Sequence, residues 1–197
     1  MTDSTSFDTS TALIVVDVQN DFAHPDGSLY VSGADGVIAA VNELVIQAVA
    51  AGSPVFYTQD WHPPSTLHFA KDGGIWPVHC VGDTWGAELH EDLHAEGVCV
   101  RKGTGGEDGY SGFTVRDPAS GETSPTELEG LLRNAGVEKT VVVGLATDYC
   151  VVETAVDSVA AGFATTVVRS AVAAVNLQDG DGEAALDRMA ATGVTLV

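Results

Sequence analysis

Positive charge is what this sequence has least of. Among 197 residues, 8 lysines and arginines face 28 aspartates and glutamates, for a net charge of −20. Such a field repels phosphate backbones, so neither nucleic acid nor an anionic membrane is an expected partner. Solubility alone accounts for the acidity, and a lysine at a special position stands out against it. Cysteine is scarce too, with 3 residues scattered as Cys80, Cys99 and Cys150. An odd, dispersed set excludes a disulfide framework and suits a reducing compartment. No apolar run is long enough to span a bilayer. The opening MTDSTSFDTS lacks a basic n-region and an apolar h-region, so a cytoplasmic location is expected. Repeats, linkers and composition breaks are also missing. One domain over residues 1–197 is the expectation, with 1–10 as a flexible N-terminal segment. The 45% hydrophobic content is enough for a full-sized core.

What is present is an alternation of strand and helix patterns. Residues 11–18, TALIVVDV, form a nearly continuous apolar run, the mark of a strand buried on both faces. Val37, Val41, Leu44, Val45 and Ala48 give a helix with one apolar face, with Ser32 and Asp35 as its capping box. Strands follow at 54–59 and 97–102. Ser124-Pro125-Thr126-Glu127 reads as a second capping box opening a helix to about Ala135. Residues 141–144 are a strand that runs through a turn into a helix beginning near Cys150. A strand at 163–169, a helix at 183–189 and a closing strand at 194–197 complete the chain. The pattern predicts an α/β fold: a three-layer (αβα), doubly wound, mostly parallel sheet.

Asp17, Asp60, Lys102 and Cys150 each fall at the carboxyl end of a predicted parallel strand, the edge where open α/β sheets bind ligands. Each alone has an ordinary structural reading, such as a core cysteine or a solvated lysine. Four on one edge point to acyl transfer through sulfur. Cys150 would attack a carbonyl carbon, and Asp17 would take the thiol proton and later pass it to the leaving amine. Lys102 would keep Asp17 ionised, and the helix start would favour thiolate. Backbone N–H groups at Ala146 and Cys150 would hold the oxyanion. Cys80 reads as structural, and Cys99 as an inert cysteine turned into the core.

A second cluster is Asp60-x-His62 with His79 and His68. Residues i and i+2 of an extended segment face one side, so Asp60 and His62 can share a metal ion. His79 would join from the next loop, with His68 as an optional fourth ligand. A carboxylate with imidazoles suits one divalent ion, zinc first, with iron or manganese as the other fitting metals. D-x-H alone is equally a surface loop with ordinary histidines. His24, His90 and His94 read as exposed residues. The Gly-rich stretch GTGGEDGYSGF lacks a Walker Lys-Thr pair and opens no helix, which excludes a phosphate loop.

Together, VDVQNDF, DWHPPSTLHF, IWPVHC, the Lys102-Gly103 strand end and GLATDYC closely resemble the nicotinamidase/pyrazinamidase branch of the isochorismatase-like cysteine hydrolases. The resemblance runs from about Ala12 to the last strand. It implies hydrolysis of nicotinamide, a small-molecule substrate, to nicotinate and ammonia in NAD salvage. It also implies an isochorismatase-like fold, a catalytic triad of Asp17, Lys102 and Cys150, and metal ligands at Asp60, His62 and His79, with His68 ligating in some members. Phe22, Trp76 and Tyr110 match aromatic residues that sandwich the pyridine ring, and a cis peptide is implied at Leu145–Ala146. The loop TGGEDGY departs from the pattern in being Gly-rich and acidic. Two other readings of the chain are discriminated by its motifs. A carbamoyl- or ureido-cleaving relative typically lacks the D-W-H motif, and a non-catalytic metal-binding protein would have no reactive thiol.

Overall fold

The structure is a computed structural model that describes residues 6–197. Six strands form one parallel sheet: β1 (Thr11–Val16), β2 (Val55–Asp60), β3 (Val98–Lys102), β6 (Lys139–Leu145), β7 (Ala164–Ala173) and β8 (Thr195–Leu196). Between β3 and β6 lies a small antiparallel ribbon of β4 (Thr114–Arg116) and β5 (Thr123–Pro125). The helices are α1 (Asn20–Ala23), α2 (Ala34–Ala50), α3 (Leu128–Asn134), α4 (Val152–Ala160) and α5 (Asp181–Ala191). Spatial order in the large sheet is β3-β2-β1-β6-β7-β8. The chain winds one way from β1 to β3 and the other way from β6 to β8. The crevice between the carboxyl ends of β1 and β6 is therefore the topological switch point.

The period-2 alternation of buried strands separates two cores. Leu13 and Val15 of β1 pack with Val141 and Val143 of β6 against α2. Ala12, Ile14 and Val16 face the other way, with Val142, against α3, α4 and α5. All six residues of β1 are buried, which explains why its sequence shows no polar alternation. At Gly144 the two central strands come so close that a Cβ would lie 2.2 Å from the Val16 carbonyl oxygen, and its φ is +111°. Gly144→Ala is expected to destabilise the fold by more than about 1 kcal/mol, read as a lowered urea midpoint.

Several sequence expectations need correction. The Ser124–Glu127 segment is not a capping box: residues 123–125 pair with 114–116 as β5, and the helix begins at Leu128. Ribbon pairing wins there, and Thr126 Oγ1 instead accepts a hydrogen bond from the Leu128 N–H. At α2 the N-cap is Gly33 in the left-handed region, with no side-chain cap. β3 is an edge strand, so Cys99 is exposed rather than turned into the core. In the N-terminal segment, residues 1–5 lie outside the described residues. Phe7 packs against the α2-side core, and Asp8 accepts hydrogen bonds from Ser10 and Thr11. Among the described residues no helix is long and apolar enough to cross a membrane.

Candidate active site

The switch point collects the polar residues that the strand ends deliver. Asp17 follows β1 in the left-handed region at φ +48°, fully buried, and its Oδ1 accepts a 2.6 Å hydrogen bond from Thr58 Oγ1. Cys150 lies in a π-helical turn, Thr147–Val151, that joins β6 to α4. The peptide Leu145–Ala146 at the head of that turn is cis. One acceptor atom each of Asp17, Asp60 and Cys150 lies within 4.8 Å of the others. Such a trio would suit a cation, and the cation is already there. Lys102 Nζ sits 2.7 Å from Asp17 Oδ2, 2.5 Å from Asp60 Oδ1 and 3.8 Å from Cys150 Sγ, and also donates to the Gly109 carbonyl.

The electrostatics follow from burial of two carboxylates around one ammonium. Burial alone would lower the Lys102 pKa, but contact with Asp17 and Asp60 outweighs it and raises the pKa well above the usual value. Burial raises the Asp17 carboxyl, while Lys102 opposes the shift. Burial also raises Asp60, yet Lys102, His62 and His79 bring it below the ordinary carboxylate range. At Cys150, burial together with the two nearby carboxylates outweighs Lys102 and pushes the thiol well up. This corrects the sequence expectation that the helix start favours thiolate. With its thiol pushed up in this way, Cys150 needs a proton acceptor close by to act as a nucleophile.

Beyond Asp60 stands a cluster of imidazoles. One nitrogen each of His62, His68 and His79 lies within 4.8 Å of the others, and all three residues are buried. His79 Nδ1 is 2.7 Å from the Pro77 carbonyl, which can only accept, so the lone pair is on Nε2, 4.0 Å from Asp60 Oδ2. Burial pushes the His79 pKa down to about 4 and lowers that of His68 as well, leaving both rings neutral at pH 7. His62 Nε2 is 3.8 Å from Asp60 Oδ2. Both its ring nitrogens are buried and have no hydrogen-bond partner among the described residues. Buried polar atoms are nearly always paired, so the unpartnered lone pair of the His62 ring, beside the His79 Nε2 lone pair, the His68 ring and a carboxylate, is one that a divalent cation would satisfy. Gly103 makes room for the His62 ring, since a Cβ there would lie 2.6 Å from His62 Cε1. Asp60 thus divides its oxygens, Oδ1 toward Lys102 and Oδ2 toward the imidazoles.

A cavity of about 290 Å³ opens over both groups and is lined by Cys150, Asp60, His68 and His79. Phe22, Trp76 and Tyr110, expected from the sequence, line it too. Trp76 Nε1 donates to Tyr110 Oη at 2.8 Å, which secures Tyr110 despite the unusual loop before it. Sequence reasoning missed Tyr149, which packs edge-on to Trp76 at 5.0 Å, and the far wall of Tyr30, Val31 and Val175. Gln19 was missed as well. Its amide donates to the Asp60 carbonyl at 2.7 Å and accepts from the Asp60 N–H at 2.8 Å, clamping that residue's backbone. Gln19 lies inside the motif VDVQNDF, which held the signal for it. Cys80 is buried with its thiol pushed well up by burial, and stands apart from the cavity lining. His94 is exposed as expected and His24 half-buried, but His90 is buried, so its expected exposure is corrected. Its Nδ1 accepts the Asp92 N–H, which draws the ring in.

Comparison with known proteins identifies the family. Residues 11–197 match the isochorismatase domain. The nicotinamidase of Escherichia coli (strain K12) is 34% identical, over 94% of this chain and 93% of that protein. The pyrazinamidase of Pyrococcus horikoshii, solved in complex with zinc, is 38% identical with a TM-score of 0.84, over 95% of this chain and 98% of that one. PnC1 from L. infantum, solved in complex with nicotinate, is 35% identical with a TM-score of 0.85, over 96% and 92% of the two chains. Sequence and fold match along the whole sheet, and the chain belongs to the isochorismatase-like cysteine hydrolases, in their nicotinamidase/pyrazinamidase branch.

Proposed function

We propose that this protein hydrolyses nicotinamide to nicotinate and ammonia through a thioester on Cys150. The observation that carries the reading is the Asp17–Lys102–Cys150 cluster at the base of an aromatic cavity, with the Asp60 and histidine group along the same floor. The nicotinamidase relatives and the nicotinate-bound neighbour support the substrate.

Each step has a residue for it. Asp17 removes the Cys150 proton as sulfur bonds to the carboxamide carbon, and the C=O electron pair moves onto oxygen. Backbone N–H groups at Ala146 and Cys150 hold that oxyanion. When the oxyanion collapses, the C–N bond breaks and Asp17 returns the proton to nitrogen, so ammonia leaves. Asp17 next deprotonates a water that attacks the thioester carbon. The C–S bond breaks, nicotinate forms and the proton goes back to sulfur. Lys102 holds Asp17 in place and offsets charge where both side chains are buried. The resting thiol makes Asp17 indispensable. Phe22, Trp76 and Tyr110 grip the pyridine ring.

Asp60, His62 and His79 would hold one divalent metal ion, with His68 as a fourth ligand, and the orphaned His62 nitrogens support the fit. Zinc is the first choice, supported by the zinc-bound neighbour, while iron and manganese suit the same donors. Held by these residues, the ion would supply a Lewis acid for the ring nitrogen of the substrate and so help orient the carboxamide. Metal-stripped protein is expected to lose nicotinamide turnover, regain it with Zn²⁺, Fe²⁺ or Mn²⁺, and stay alkylatable at Cys150 by iodoacetamide. Benzamide, which has the carboxamide but no ring nitrogen, is expected to be a poor substrate with or without metal. Benzamide turnover equal to that of nicotinamide would remove the metal from substrate orientation.

A further inference from the structure

The Gly-rich acidic loop after β3 reaches across to the imidazole cluster. Asp108 Oδ1 lies 2.7 Å from His68 Nδ1, with the Asp108 side chain only 10% exposed and that of His68 only 4%. The loop also holds the base of the His68 turn. Thr66 Oγ1 donates to the Gly106 carbonyl at 2.5 Å and accepts from the His68 N–H at 3.1 Å. Asp108 is anchored in turn by two backbone hydrogen bonds with Arg116, of 2.7 and 3.0 Å. We propose that Asp108 is a positioning residue that locks His68 as a metal-ligating imidazole and so sets the metal affinity of the cluster. The inference rests on the metal reading given above and goes beyond it by assigning a residue that contacts no metal.

The chemistry is directional. An ionised carboxylate only accepts, so the shared hydrogen is on His68 Nδ1 and the lone pair is on Nε2. The ring is then fixed in one tautomer with a free lone pair on Nε2, and the His62 ring stacks on its face at 4.6 Å. A carboxylate behind a ligating imidazole also raises its basicity, and loss of such a partner typically costs ~10–100-fold in metal affinity. A simple structural ion pair is the competing account, because Asp108 Oδ2 also meets Arg116 Nη1 at 3.2 Å. Arg116 is 56% exposed at its side chain, so that pair alone contributes little. The buried contact of Asp108 is with His68.

The test is a double-mutant cycle on metal-stripped full-length protein, titrated with Zn²⁺ against a chromophoric chelator. Asp108→Ala is expected to weaken zinc binding ~10–100-fold. Asp108→Asn, which keeps an acceptor oxygen without the charge, should fall between it and the wild type. In a His68→Ala background, Asp108→Ala should cost nothing further, because its effect passes through that ring. Equal losses in both backgrounds would overturn the proposal in favour of a general structural role, as would an Asp108→Ala protein that binds zinc like the wild type. A wild-type protein that takes up no zinc would refute the metal reading itself, and this inference with it.

Discussion

Cys150→Ala is expected to reduce ammonia release from nicotinamide to the detection limit while the fold stays intact. Among the three cysteines, Cys150 alone lines the cavity and lies within 3.8 Å of Lys102 Nζ. Alanine removes one sulfur from a tight turn whose backbone hydrogen bonds run through Ala146, so the turn itself should persist. Cys80→Ala and Cys99→Ala should keep most activity, since one thiol is packed against Gly86 and the other sits on the exposed edge strand. Thermal melts alongside the assay separate loss of chemistry from loss of structure. Metal-dependent turnover surviving in Cys150→Ala would transfer the attack to a metal-activated water and end the covalent account.

Asp17→Asn should lower kcat by ~10²–10⁴-fold, the usual worth of general base catalysis. Asparagine keeps the size of the side chain: its one oxygen can still accept from Lys102 Nζ, and its NH2 can donate to Thr58 Oγ1 where Asp17 accepted. What disappears is the carboxylate assigned to accept the Cys150 proton. The need is acute because burial and two carboxylates hold that thiol well above the ordinary range. Steady-state kinetics checks the point through the division between kcat and KM. A change confined to KM would make Asp17 a substrate-binding residue.

Much of this site is legible in the sequence for a physical reason. A strand buried on both faces must be apolar along its length, so the first polar residue after it marks the strand's end. In a parallel sheet those ends share one edge. Asp17 is placed by that rule, and Asp60, Lys102 and Cys150 by their position at or just after the ends of strand-like stretches. The parts that escape it act through loops and backbone. Gln19 grips the Asp60 backbone from 41 residues away, and Asp108 reaches His68 from 40 residues away. No periodicity encodes such contacts. Residues 124–127 carry a genuine helix-start pattern, yet pairing with β4 takes the first two of them into a ribbon. Cys99 alternates as a core residue would, but an edge strand leaves that side uncovered. The thiolate expectation fails for a similar reason: the helix start is readable locally, whereas the two buried carboxylates beside Cys150 appear only in three dimensions.

The most direct test of the central claim is product analysis with metal-loaded wild-type protein offered nicotinamide and N-carbamoylsarcosine in parallel. The account predicts nicotinate and ammonia in equal amounts from nicotinamide, and little from the carbamoyl compound. Turnover of the carbamoyl compound with nicotinamide left untouched would contradict it.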